Sequence, residues 1–257
     1  MTGEKGLRLG LVGYPVEHSL SSAIHEAFMR QTGLEGSFRR LSVRPDELPG
    51  RLASLYADDY AGLNVTVPHK RAVLAQVVAC DQDVESTGAA NTLLRGIGGW
   101  SAANTDIAGF GRLVLEEGLD QQQFVIVGGG GAASAVAEAV YRMGCSSATV
   151  CRRPWLWKRH GRALELERLQ SVMGRRDGGV VVNATPLGWR PTDSFPVETW
   201  PERGWVFLDL NYAPDWPWRD RLAASGVRVI TGERMLVYQA AASFCLWTGI
   251  GPSVEVG

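Results

Sequence analysis

Residues 124–127, Phe-Val-Ile-Val, form a compact apolar run that passes directly into Gly128-Gly129-Gly130-Gly131-Ala132-Ala133. No other stretch limits the fold so tightly. An uninterrupted apolar run of this length reads as a strand buried on both faces, the pattern of a parallel sheet. Past the glycines, Ala132, Ala135, Val136, Ala139 and Val140 recur at helical spacing and are expected to point inward. A second strand is expected at 148–150. Strand, glycine turn, small-residue helix and strand make a βαβ unit. The turn reads G-x-G-G-A, close to G-x-G-x-x-G without matching it. In this context Gly128, Gly130, Gly131 and Ala132 are expected to let backbone approach a pyrophosphate on the helix N-terminus. A glycine-rich turn with no ligand is the alternative.

The end of the second strand bears on which dinucleotide would bind. A site for NAD usually carries Asp or Glu there, facing the ribose 2′-hydroxyl. This chain has Cys151-Arg152-Arg153. Two guanidinium groups without a carboxylate suit a 2′-phosphate, so Arg152 and Arg153 point to NADP as cofactor. A strand at 180–182 ends in Asn183-Ala184-Thr185-Pro186-Leu187-Gly188-Trp189. Thr185 and Trp189 are expected on the cofactor side, while most of the nine tryptophans, including Trp200, Trp205, Trp216 and Trp218, read as packing.

The first half alternates in the same way. Strands are expected at 7–12 and 37–43, and helices after Ser22, which reads as an N-cap, and at 48–56 through Leu48, Leu52 and Leu55. Alternation of strand and helix implies a mainly parallel α/β sheet. Ser19 and Ser21, two apart in extended chain, would point the same way and offer two hydroxyls to a carboxylate or a polyhydroxy ligand. Residues 62–70 read Gly-Leu-Asn-Val-Thr-Val-Pro-His-Lys, a strand stopped by Pro68 and followed by a helix to about residue 78. Lys70 there is either an ordinary first-turn lysine or an acid/base group, a role lysine fills because its pKa moves readily. Asn91 and Asn104-Thr105-Asp106 lie at the ends of apolar segments, where polar groups form clefts in α/β folds. Capping of the helix bearing Ile107, Phe110, Leu113 and Val114 accounts for Thr105 or Asp106 but not for the whole set. Residues 164–169 look helical, strands are expected at 206–210 and 227–230, and a last helix at 235–248.

At 257 residues with a net charge of −1, the chain shows no electrostatic footprint for nucleic acid or an anionic membrane. Arg39-Arg40 and Arg175-Arg176 read as solvated surface. No apolar run reaches membrane-span length and residues 1–6 lack a signal core, so the cytoplasm is expected. The two sequons at Asn64 and Asn183 are then expected to be accidental. Cys80, Cys145, Cys151 and Cys245 are scattered, and the four histidines include no H-E-x-x-H pair. Buried free thiols and no metal are expected.

Taken together, several motifs resemble the shikimate dehydrogenase family, from about residue 8 to residue 249. They are G-Y-P-V-E-H-S-L-S at 13–21, G-L-N-V-T-V-P-H-K at 62–70, G-A-A-N-T-L at 88–93 and N-T-D at 104–106. The glycine turn, N-A-T-P-L-G at 183–188 and M-L-V-Y-Q at 235–239 complete the order. The resemblance implies a two-domain α/β fold, a substrate-binding domain beside a Rossmann-like NADP-binding domain. Because family substrate positions occur at both ends of the chain, the first is expected over 1–104 with 233–257, and the second over 105–232. By resemblance, Lys70 and Asp106 would be the catalytic pair. Ser19, Ser21, Asn64, Thr66, Asn91, Tyr212 and Gln239 would hold the substrate's carboxylate and hydroxyls, and Arg152 the 2′-phosphate. The implied activity is NADP-dependent interconversion of 3-dehydroshikimate and shikimate, by a monomer or homodimer. A quinate/shikimate enzyme with broader substrate or NAD use is the near alternative. A methylenetetrahydrofolate dehydrogenase is opposed by the paired serines and N-T-D, and a nucleotide-binding regulatory module by the retained Lys70 and Asp106. The chain departs from the family's usual residues at Ile107, Trp189 and Cys151-Arg152-Arg153.

Overall fold

The computed structural model of the protein describes residues 6–174, 177–190, 192–197, 204–213 and 218–254. Arg175, Arg176, Trp200 and Trp216 lie outside the described residues, as do residues 1–5. The chain divides into two compact units, Met1–Gly109 with Leu236–Gly257, and Phe110–Met235.

The first unit contains β1 (Leu7–Gly13), α1 (Ser21–Thr32), β2 (Gly36–Ser42), α2 (Leu48–Ala57), β3 (Gly62–Val65), β4 (Val77–Cys80), α3 (Gln82–Thr87), β5 (Thr92–Gly96) and β6 (Gly99–Ala103). Its sheet has the order β2-β1-β3-β5-β6-β4. β1 is parallel to β2 and β3, but β5 is antiparallel to both β3 and β6. With β4 parallel to β6, the sheet is mixed, three of its five pairings being parallel. Ile97 and Gly98 close β5 onto β6 as a hairpin, and a link that short permits only antiparallel neighbours.

Strand alternation decides which side chains meet. Val12, Leu63, Val65 and Leu93 pack with Leu48, Leu52 and Leu55 of α2 on one face. Leu9, Leu11 and Phe38 pack with Phe28 of α1 on the other, together with Ala240 and Phe244 of the last helix. Asn64 lies between Leu63 and Val65 in sequence, so its amide points to this second face.

α4 (Asp106–Glu116) carries the chain from the first unit into the second, which continues with β7 (Phe124–Val127), α5 (Gly131–Arg142), β8 (Ser147–Cys151), β9 (Arg162–Glu165), α6 (Leu169–Met173), β10 (Gly179–Asn183), β11 (Trp205–Asp209), α7 (Arg219–Ser225) and β12 (Arg228–Ile230). α8 (Glu233–Thr248) returns the chain to the first unit at Leu236. The division thus falls inside α4 and inside α8, a few residues from the expected 104/105 and 232/233. The second sheet, ordered β12-β11-β10-β7-β8-β9, is parallel at every pairing. Counted from β7, this is the doubly wound order 3-2-1-4-5-6, with its reversal between β7 and β10.

Several sequence expectations are corrected. β3 ends at Val65 rather than at Pro68, because the His69 N–H donates to the Thr66 carbonyl and turns the chain. The expected helix to residue 78 is a short 3-10 helix, Ala72–Gln76, followed by β4, which pairs with β6. Likewise 164–169 is not one helix: Leu164 lies in β9 beside β8, a 3-10 turn covers Leu166–Arg168, and α6 starts at Leu169. In both cases a sheet edge distant in sequence supplied partners that local propensity could not anticipate. Ser22 is not the cap of α1. The helix begins at Ser21 with Leu20 in the cap place, and the Ser19 hydroxyl takes the Ser21 N–H at 3.2 Å. Ala132 is half-buried at the open end of α5, whereas the whole run Ala133 to Val140 is buried. Cys151 alone is a buried thiol; Cys145 is half-buried, and Cys80 and Cys245 are exposed on an edge strand and on α8.

Candidate active site

Backbone bonds bring the elements of the first unit's cluster together. The Ala90 N–H donates to the Lys70 carbonyl at 2.8 Å, laying the Lys70 turn beside the segment that leads to Asn91. Asn104 ties that same segment to the start of α4. Its Nδ2 donates to Thr87 Oγ1 (3.0 Å) and the Ala89 carbonyl (2.8 Å), and its Oδ1 accepts the Asp106 N–H (3.2 Å).

Lys70 Nζ donates to Asp106 Oδ2 at 2.5 Å, and Asn91 Nδ2 donates to the other carboxylate oxygen at 2.9 Å. Both carboxylate oxygens are thus held, in a side chain only 6% exposed. Asn91 Nδ2 also faces Thr105 Oγ1 (2.8 Å) and Gln239 Oε1 (3.0 Å). An amide with two protons cannot serve three acceptors at once, so these bonds alternate. A cation paired with an oriented carboxylate, beside amides that exchange partners, can move a proton to or from an oxygen held there.

Gln239 reaches Asn91 because α4 and α8 approach closely. A Cβ on Gly109 would lie 2.9 Å from both the backbone N and the Cβ of Gln239. Gly109→Ala is expected to force the helices apart, lowering stability by about 1–3 kcal/mol despite alanine's better helix propensity. Loss of the Gln239–Asn91 bond would raise the substrate KM roughly tenfold. Thermal unfolding and steady-state kinetics of the variant check both.

Ser19 and Ser21 do not lie in extended chain, since Ser21 opens α1, yet their hydroxyls are 3.1 Å apart. Thr66 is half-buried just past β3. The Asn64 side chain is engaged with protein groups: His25 Nε2 at 2.9 Å, Ser243 Oγ at 3.0 Å and the Asn91 carbonyl at 3.3 Å. Sequence reasoning missed His25, Thr92 and Ser243. The available signal was helical phase, because His25 follows Ser21 by four residues and Ser243 follows Gln239 by four.

Burial pushes the His25 imidazole from 6.5 down to about 4, and its bond to Asn64 opposes this only in part. The unfolded chain then takes up a proton as pH falls through 6.5, while the native state resists until about 4. Stability contributed at neutral pH is lost through that window, by roughly 3 kcal/mol. Urea midpoints at pH 7 and pH 4.5 should differ less in His25→Phe than in wild type. Equal differences would mean that other groups account for the loss.

In the second unit, the expected cofactor residues gather at the carboxyl ends of the central strands. Gly128 follows β7 with φ +136°, and a side chain there would meet the Ala184 carbonyl at 2.7 Å. Gly130 holds the cap position of α5 without a side-chain bond, and nothing lies within 4 Å of where its Cβ would stand. The first-turn amides of Gly131 and Ala132 are therefore open to a pyrophosphate. Arg152 and Arg153 are exposed just past β8. Thr185 Oγ1 donates to Asn183 Oδ1 at 2.6 Å. These residues fit NADP, with an open cradle for the pyrophosphate and two cations for the 2′-phosphate. Trp189 donates through Nε1 to Asn211 Oδ1 (2.8 Å) and meets Tyr212 edge-on at 5.2 Å. Tyr212 belongs to this second unit, whereas Lys70, Asn91, Asp106 and Gln239 belong to the first. Ile107 is buried within α4. Among the described residues no group of His, Cys, Asp or Glu is arranged to hold a metal.

Comparison with known proteins agrees in order and extent. Residues 11–93 match the shikimate dehydrogenase substrate binding domain, and residues 232–256 the shikimate 5'-dehydrogenase C-terminal domain. The chain is 37% identical to the shikimate dehydrogenase (NADP(+)) of Anaeromyxobacter sp. (strain Fw109-5), over 97% of this chain and 93% of that one. It is 37% identical to the Rubrobacter xylanophilus enzyme of the same name, over 98% and 94%. A crystal structure of shikimate 5-dehydrogenase from Thermus thermophilus, in complex with NADP(H) and shikimate, superposes with a TM-score of 0.84 at 34% identity, over 96% and 95% of the two chains. With full-length identity at this level, the chain belongs to the shikimate dehydrogenase family.

Proposed function

We propose that the protein is an NADP-dependent oxidoreductase interconverting 3-dehydroshikimate and shikimate, a step toward chorismate and the aromatic amino acids. The observation that carries this is the Lys70–Asp106 pair at 2.5 Å, its second carboxylate oxygen held by Asn91. The kinship with enzymes named for this reaction and this cofactor supports it. When bound, NADPH supplies the hydride for reduction of the ketone. Lys70, as ammonium, stabilises negative charge building on the carbonyl oxygen and donates the proton there, while Asp106 keeps Lys70 aimed. In the oxidative direction the same lysine, or a water linked to it, accepts the hydroxyl proton.

Ser19 and Ser21 take the substrate carboxylate, and Asn64, Thr66, Asn91, Tyr212 and Gln239 take ring hydroxyls and orient the ring. Gly128, Gly130, Gly131 and Ala132 cradle the pyrophosphate. Arg152 and Arg153 grip the 2′-phosphate, and Thr185 and Trp189 line the cofactor's path. The substrate unit is then Met1–Gly109 with Leu236–Gly257, and the NADP unit is Phe110–Met235. The enzyme works in the cytoplasm as a monomer or homodimer; among the described residues no helix is long and apolar enough to cross a membrane.

The test is reduced-cofactor formation from shikimate and, separately, quinate, each with NADP and with NAD. NADPH formation with shikimate is expected to dominate. No turnover of shikimate with either cofactor overturns the proposal, and faster turnover of quinate or with NAD replaces it with the broader enzyme.

A further inference from the structure

The orientation of the Asn64 amide is decided by one neighbour. The Asn91 carbonyl, 3.3 Å away, can only accept, so Asn64 Nδ2 must face it. Ser243 Oγ at 3.0 Å and Thr92 Oγ1 at 3.4 Å lie on the same side. Asn64 Oδ1 therefore faces His25 Nε2 at 2.9 Å, and an acceptor there requires the proton on Nε2. Nδ1 is left as the bare nitrogen, buried without a hydrogen-bond partner. The ring stacks on Phe38 at 4.4 Å, with Phe28, Phe244 and Trp247 around it. A phenylalanine would fill such an aromatic pocket without stranding a polar nitrogen. What histidine adds is the single N–H.

That N–H begins a continuous set of bonds. Ser243 Oγ lies 2.8 Å from Thr92 Oγ1 and 3.0 Å from Thr105 Oγ1. The Thr105 N–H donates to Asn91 Oδ1 at 2.8 Å, and the amide of Asn91 bonds Asp106 and Gln239. We propose that His25, as its Nε2–H tautomer, is a positioning residue that holds Asn64 in one orientation and through it orders the hydroxyl and amide groups beside Asp106. This rests on the proposed function insofar as the ordered groups are those that hold shikimate.

His25→Phe keeps the aromatic packing and removes the donor. The shikimate KM is expected to rise roughly tenfold, the cost of one hydrogen bond, with kcat within a few-fold and the NADP KM unchanged. His25→Gln, which can present an N–H, should restore part of the affinity. In an Asn64→Ala background His25→Phe should add nothing further to KM, because the residue it acts through is gone. An unchanged shikimate KM in His25→Phe, or an effect that adds fully to that of Asn64→Ala, overturns the inference. Should His25→Phe fail to fold, nitrogen-15 spectra of the wild-type imidazole decide, an Nε2–H tautomer supporting the inference and an Nδ1–H tautomer overturning it. Those spectra require no turnover. A wild type inactive on shikimate would therefore defeat the function while the tautomer separately decides the role of His25.

Discussion

Lys70→Ala is expected to lower turnover by roughly a hundred- to ten-thousand-fold, the range for losing a positioned acid/base group. Shikimate binding should change far less, because the serine hydroxyls, the asparagine amides and Gln239 stay in place without the lysine. The geometry favours this split between rate and affinity. Lys70 is bonded through its side chain to Asp106, whereas Asn91 and Asn104 hold Asp106 from other directions and would keep it there. Asp106→Asn should also lower turnover, since it leaves Lys70 without the charge that aims it. Stopped-flow turnover and equilibrium binding of shikimate by both variants decide the matter. A Lys70→Ala protein that binds shikimate and turns over at near wild-type rate would remove the catalytic pair from the proposal.

Arg152→Ala should weaken NADP binding by roughly ten- to a hundredfold, the equivalent of a charge-assisted hydrogen bond at about 1.5–3 kcal/mol. NAD lacks the 2′-phosphate, so its affinity should be almost unchanged. Arg152 follows β8 and is exposed there, which makes a folding defect from the substitution small. Arg153 stands beside it, so the double variant should lose more NADP affinity than either single one. Titration of both cofactors into the variants measures the contrast. Equal losses for NADP and NAD would mean that Arg152 supports the loop rather than the phosphate.

The parts of the fold legible in the sequence are those whose signal is local. The apolar run at 124–127, the glycines after it and the buried leucines of α2 each declare a period or a turn within a dozen residues, and these elements stand where expected. The motif order also carried the family. Elements defined by a remote partner were not legible. β4 and β9 exist because β6 and β8 offer them edges.

The candidate site divides along the same line. The sequence alone determined which residue types are available: a lysine and an aspartate in motifs 36 residues apart, two serines two residues apart, and arginines instead of a carboxylate after β8. Only the tertiary structure decided how those groups are held. Asn64 meets Ser243 across 179 residues and His25 across 39, and Gly109 admits Gln239 to Asn91 across 148. No local period encodes such meetings. They follow from strand alternation turning Asn64 away from its apolar neighbours toward the face covered by α1 and α8. There, buried polar groups must satisfy one another or stand at a cost, and the hydrogen bonds they make choose the tautomer of His25 and the orientation of the amides.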